Sequence, residues 1–182
     1  IRQAWVECTH LCLHLGSTLP GNLRTDIHSL ITKMIEISNW NPRSKMASGG
    51  VRLSALMVLG KICIVDDKID GDKATATAPL CKRVSPYAYE ILQCCHKGLL
   101  SGGAGEPGHR VECVQTAWRL ALACRRSHDV NNSVSTSFLA TGAMEDRAII
   151  EAIKFIKRAV TDKYPEVRIG AAVFAGIVAP ML

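Results

Sequence analysis

The sequence predicts an all-α fold: a right-handed α-solenoid of stacked antiparallel helix hairpins, about seven helices in all. Three observations predict it. An opening that ends in Arg and leads into a helical run recurs at Ile1-Arg2, Val51-Arg52, His109-Arg110 and Val167-Arg168, with the arginines 50, 58 and 58 residues apart. Apolar residues recur at three- and four-residue steps, the period of one helix face. Aromatics make up only 5% of the chain while Ala, Leu, Ile and Val are plentiful, which suits closely packed helices and disfavours a β-sandwich.

The elements follow in chain order. Arg2 to Leu15 reads as the first helix, with Trp5, Cys8, Cys12 and Leu15 on one side and Gly16 as its stop. After Pro20-Gly21, Asn22 to Ser38 places Leu23, Ile27, Leu30, Ile31, Met34 and Ile35 on one stripe. The segment NWNPRSKMASGG breaks the chain, and Val51 to Cys63 is the second opening helix, its face formed by Leu53, Leu56, Leu59, Gly60 and Cys63. A polar interval from Asp66 to Val84 has no periodicity. Ser85-Pro86 then reads as an N-cap with Pro in the first turn of a helix carrying Tyr87, Ile91, Leu92, Cys95 and Leu99. SGGAGEPG breaks the chain again, Arg110 to Arg125 is the third opening helix, and SHDVNNSVSTS is a second polar interval.

Glu145-Asp146 bring negative charge to the start of the next helix, where the macrodipole favours it, and Ile149, Ile153, Ile156 and Val160 are its expected core face. Tyr164-Pro165 turn the chain into a last opening helix that runs to about Ala179. That helix is apolar nearly all round, through Ile169, Val173, Phe174, Ile177 and Val178, so a following helix or a partner molecule is expected to cover it. One hairpin cannot bury its own stripe, and stacked neighbours can. The expected organisation is a single domain over 1–182, a stretch of a longer array, with units at 1–48, 49–106, 107–164 and a partial one at 165–182. Both long polar intervals, 65–84 and 127–143, are expected to leave from the same edge.

Composition sets limits on function. With 182 residues, 48% of them apolar, the chain can build a continuous core. Lys and Arg number 22 against 16 acids, a net charge of +6 with pI near 9.0, and the basic residues are scattered; this favours solubility or an acidic partner more than nucleic-acid binding. Eight cysteines in a chain this apolar are not needed as staples, so an intracellular setting, cytoplasmic and/or nuclear, is expected. The longest apolar run, from Ile169 to Leu182, is interrupted by Gly170, Gly176 and Pro180 and falls short of the roughly 20 residues a bilayer requires, so no membrane insertion is expected.

The run Tyr164-Pro165-Glu166-Val167-Arg168-Ile169-Gly170-Ala171-Ala172 resembles the first helix of a HEAT repeat, in which a polar turn with Pro precedes a Val-Arg pair and small residues. Val51-Arg52 through Gly60 is similar, with Gly49-Gly50 in place of the Pro. The copies at Arg2 and Arg110 depart from it, with Gln3 and Trp5, or Trp118, where small residues belong, and the units exceed the family's length of about 40 to 47 residues. The resemblance to HEAT and armadillo-like arrays implies a scaffold or adaptor that binds other proteins, with no cofactor and no small-molecule substrate.

Four constellations invite chemistry. Gly103 to Gly108 fits G-x-G-x-x-G, but a helix rather than a strand precedes it and Pro107 removes a phosphate-binding donor. Cys8, His10, Cys12 and His14 alternate, which on a helix sends the cysteines and histidines to nearly opposite faces; a second pair such as Cys94 or Cys95 with His96 would be needed for zinc. Asp66 to Asp72 resembles the start of a calcium loop, but Lys68 and Thr77 stand where ligands belong. Neither a metal nor a catalytic set is therefore expected. Arg147, Lys154, Lys157 and Arg158 form a basic patch on one helix side, read first as a solvated face and otherwise as a docking surface for an acidic peptide or for phosphates; a nucleic-acid reading is weakened by the lack of interleaved aromatics other than Phe155.

Overall fold

The structure, a computed structural model, describes residues 27–39, 49–64, 84–100, 107–132 and 144–182. Among the described residues the fold is all helical, with no strand. Six α-helices are present there: α1 (Ile27–Ser38), α2 (Gly49–Ile62), α3 (Ala88–Leu100), α4 (Pro107–Asn132), α5 (Asp146–Ala159) and α6 (Pro165–Val178), with short 3-10 turns at Ser85–Tyr87 and Ala179–Met181. About seven helices were expected; the additional one, Arg2 to Leu15, lies outside the described residues, as do the Cys8–His14 and Asp66–Thr77 constellations.

Several boundaries differ from the sequence expectation for local reasons. Ser85 does not cap a helix; Ser85–Tyr87 forms a 3-10 turn with Pro86 in its first positions, and α3 starts only at Ala88. α4 begins at Pro107, where a missing N–H is harmless, and continues past Arg125 to Asn132, because Ser127 to Asn132 contains neither Gly nor Pro to stop it. Tyr164 is extended before Pro165, so α6 begins where the turn signal placed it.

The chain-adjacent helices that pack on one another are α1 with α2, α3 with α4, and α5 with α6. These pairs are joined by the shorter connections, so the frame is offset by one helix from a grouping of each opening helix with the one that follows it. Between pairs, α2 packs on α4 and α4 on α6, while α3 packs on α5 and, more lightly, on α1. One core joins all six, with Leu56, Leu59, Ile62, Ile91, Leu92, Leu99, Leu120, Phe155 and Phe174 among its fully buried side chains.

α4 sits at the centre because three neighbours approach it through glycine. A Cβ on Gly60 of α2 would lie 2.8 Å from Thr116 Oγ1, one on Gly98 of α3 would lie 2.5 Å from Cys113 Sγ, and one on Gly170 of α6 would lie 2.5 Å from Val114 Cγ1. Three nearby positions of one helix therefore each fill the gap left by a missing side chain. The α2 contact also carries polar groups: Thr116 Oγ1 donates to Leu56 O at 3.3 Å, and Arg119 Nη1 donates to Glu112 Oε1 at 3.1 Å. Burial pushes the Glu112 carboxyl up from its ordinary range against the pull of Arg119.

α5 corrects one expectation. Its deeply buried face is Ala148, Glu151, Ala152, Phe155 and Ala159, whereas Ile149, Ile153 and Ile156 are half-buried and Val160 is exposed. The alanines bring α5 close to its neighbours, and Phe155 meets Phe174 of α6 edge-on at 5.7 Å between centroids. The buried side of α6 is Val167, Ala171, Phe174 and Val178; Ile169 remains 66% exposed and Val173 48%.

Gly98→Ala is expected to destabilise the fold by about 1–3 kcal/mol through overpacking against Cys113. Gly108→Ala, where a Cβ meets nothing within 4 Å, is expected to stay within about 0.5 kcal/mol of the wild type, and urea unfolding of the two variants checks both values.

Candidate functional site

The basic residues Arg147, Lys154, Lys157 and Arg158 all lie on α5 and are all exposed. Steps of seven, three and one residue keep them within about a third of the helix circumference. Ile150, 54% exposed, interrupts the stripe. The opposite side of α5 carries Ala148, Ala152, Phe155 and Ala159 into the core, so packing decides which way the charges face. Lys157 and Arg158 occupy the last turn, where their charge also offsets the negative end of the helix dipole.

The structure divides the four. Arg147 is already engaged: its Nε donates to Glu145 Oε2 at 2.6 Å, its Nη2 lies 3.6 Å from Glu90 Oε1, and its guanidinium stands 4.9 Å over the Tyr89 ring. The hydrogen bond to Glu145, opposed by some desolvation, raises its pKa above the ordinary arginine value. Glu145 thus spends its carboxylate on Arg147 and makes no side-chain cap to α5. Lys154, 61% exposed, has Nζ 3.8 Å from Glu151 Oε2, a loose pair. The other oxygen of Glu151 lies 2.5 Å from His96 Nδ1, and the His96 ring meets Phe155 edge-on, which ties α3 to α5. Lys154, Lys157 and Arg158 are the exposed remainder of the stripe.

The C-terminal end of α5 is held by a buried ion pair that sequence reasoning did not single out. Arg110, at the start of α4, donates from Nε to Asp162 Oδ2 at 3.0 Å and from Nη2 to the same oxygen, while its Nη1 donates to Leu99 O of α3 at 2.8 Å. Asp162 lies in the turn between α5 and α6, its side chain wholly buried. The Tyr164 amide donates to Oδ1 at 3.1 Å, and Arg168 Nη1 donates to Asp162 O at 2.9 Å. Burial alone would raise the Asp162 carboxyl, but the hydrogen bonds from Arg110 and Tyr164 and the charges of Arg110 and Arg158 hold it below its ordinary value of 3.8. The available signals were the Arg register, which contains Arg110 and Arg168, and an acid, Asp162, in the short turn ahead of Tyr164-Pro165.

The residues weighed for other chemistry are placed elsewhere. Cys94 and Cys95 are buried in α3, and His96 is taken up by Glu151. Burial pushes the thiols of Cys63, Cys94, Cys95 and Cys113 up, away from the thiolate form that nucleophiles and metal ligands need. Among the described residues no group of three or more His, Cys, Asp or Glu is arranged to hold a metal ion, and no helix is long and apolar enough to cross a membrane.

No protein family, curated protein or solved structure matches this chain.

Arg110→Met leaves a buried carboxylate without its cation and is expected to cost about 3–5 kcal/mol of unfolding free energy. Asp162→Asn tests the pH dependence. Because the folded-state pKa is lowered, the ionised carboxylate stabilises the fold above its ordinary value of 3.8 and loses that contribution as pH falls through the lowered value. The stability gap between wild type and Asp162→Asn, measured by denaturant titration at a series of pH values, is expected to be widest near neutrality and to close under acid.

Proposed function

We propose that this chain is a stretch of a right-handed, HEAT-like α-solenoid that serves as a non-enzymatic scaffold or adaptor for other proteins inside the cell, cytoplasmic and/or nuclear. The observation that carries the reading is the packing of α2 on α4 and of α4 on α6, helices whose arginines recur every 58 residues, with α3 and α5 packed beside them. Helices repeated in this way present long outer faces, and such faces suit the capture of extended partners. The resemblance of Tyr164 to Ala172 to a HEAT first helix supports the same reading.

The binding face within this proposal is the α5 stripe, and its partner is an acidic protein segment. Lys154, Lys157 and Arg158 are exposed and loosely paired at most, so they can meet carboxylates without first giving up strong bonds. Arg147 would contribute less, because Glu145 and Glu90 already neutralise it. Such charges act mainly through encounter and specificity. A nucleic-acid partner is the weaker reading: the one aromatic residue on α5, Phe155, is buried and cannot stack on a base.

The combined variant Lys154→Glu, Lys157→Glu, Arg158→Glu is expected to weaken binding of a fluorescent acidic peptide by about tenfold or more, with Arg147→Glu costing less. Anisotropy titrations at low and moderate salt measure this. If a single-stranded oligonucleotide bound more tightly than the peptide, with affinity falling steeply as salt rises, the acidic-protein reading would give way to the nucleic-acid one.

A further inference from the structure

The turn between α5 and α6 exposes a hydroxyl next to the basic stripe. Thr161 follows Val160, the residue that closes α5, and its side chain is open to solvent, with Oγ1 donating to Arg158 O at 3.1 Å. Among the described residues, the exposed serines and threonines are Ser29, Thr32 and Thr161. The four residues ahead of Ser29 and of Thr32 hold no Lys or Arg. Thr161 has Arg158 three residues before it, Lys157 four before it and Lys154 about one turn further back, all of them exposed.

Positive charge gathers beyond the hydroxyl as well. Lys163 is exposed, with Nζ 4.8 Å over the Tyr164 ring, and Arg168 reaches back from α6 to donate from Nη1 to Asp162 O and Lys163 O at 2.9 and 3.2 Å. Of the two acids nearest in sequence, Asp162 is wholly buried and its charge is answered mainly by Arg110, while Glu166 stands in the first turn of α6. An anion on Thr161 would meet the negative end of the α5 dipole, equivalent to only about half a charge, against full cations on Lys157, Arg158 and Lys163. The balance favours the anion.

We propose that Thr161 is a phosphorylation site for a protein kinase of the class that selects basic residues ahead of its acceptor. Kinases discriminate substrates by charge patterns of this kind. In the transfer, Thr161 Oγ1 bonds to the γ-phosphorus of a nucleoside triphosphate as the bond from that phosphorus to the β,γ-bridging oxygen breaks. The hydroxyl proton passes to the kinase's catalytic carboxylate, and the nucleoside diphosphate leaves. The product carries about −1.5 to −2 charges near pH 7, beside Lys157, Arg158 and Lys163, and so cancels most of the positive charge of the stripe. Weaker capture of an acidic protein segment follows, and that consequence alone rests on the binding face proposed above.

The test incubates the folded full chain with Mg-ATP and a purified Ser/Thr kinase that selects Arg three residues before the acceptor, and reads the modified residue by mass spectrometry. The expected result is phosphate on Thr161, entering at least about tenfold more slowly in the Lys157→Ala, Arg158→Ala variant and absent from that position in Thr161→Val. Phosphorus NMR gives a second readout: the second ionisation of the phosphate is expected below its ordinary value of about 6 and to return toward it in about 1 M salt, which screens the cations. Phosphate confined to other hydroxyls, such as Ser85 behind Lys82-Arg83 or Ser127 behind Arg125-Arg126, would overturn the assignment, as would a Thr161 rate indifferent to Lys157 and Arg158. Anisotropy with the acidic peptide then reads the consequence. Equal binding by both forms would overturn the charge cancellation, whereas binding by neither rejects the acidic-partner reading and leaves the mass spectra to decide Thr161.

Discussion

Arg110 is the group on which the arrangement of the helices depends. Its guanidinium reaches the last carbonyls of α3 through Leu99 O and the α5–α6 turn through Asp162, so one side chain at the start of α4 fixes the ends of three other helices. Both charges are out of water, which by itself is unfavourable. The cost is offset because each polar atom has a place: two guanidinium nitrogens face one carboxylate oxygen, the third faces a helix-end carbonyl, and the other carboxylate oxygen accepts the Tyr164 amide. Such a bond adds less to stability than to uniqueness. It selects one angle and one register between neighbouring pairs, since any shift would strand a buried ion.

The apolar packing around this bond relies on small residues more than on large ones. Gly60, Gly98 and Gly170 let three helices close on α4, and Ala148, Ala152 and Ala159 do the same for α5. Cys95, Cys113 and Cys124, fully buried in the same region, fill space as small apolar groups, and burial pushes the thiols of Cys95 and Cys113 up. The few aromatics are used at a junction: Phe155 stands between His96 and Phe174, so a single ring links α3, α5 and α6.

α5 presents three distinct surfaces to three surroundings. Its alanine and phenylalanine side is committed to the core, its basic side faces water, and Ile149, Ile153 and Ile156 lie half-buried on a third side. The engaged state of Arg147 shows how local acids narrow a charged stripe: four cations share the helix side, and the two carboxylates near its start leave the useful charge at its end.

The sequence by itself determined the helical class and the core sides of α1, α2 and α3, because these follow from local periodicity and backbone chemistry. It also placed Arg147, Lys154, Lys157 and Arg158 on one side of a helix, since that depends only on spacing. Tertiary structure decided which of two apolar stripes on α5 enters the core, choosing Ala148, Ala152 and Phe155 over Ile149, Ile153 and Ile156. Hydropathy ranks isoleucine above alanine, whereas a close helix crossing demands the smaller side chain. Only the fold brought Arg110 to Asp162, 52 residues away, and His96 to Glu151, 55 away, because ion pairs between separate helices leave no trace in the period of either one.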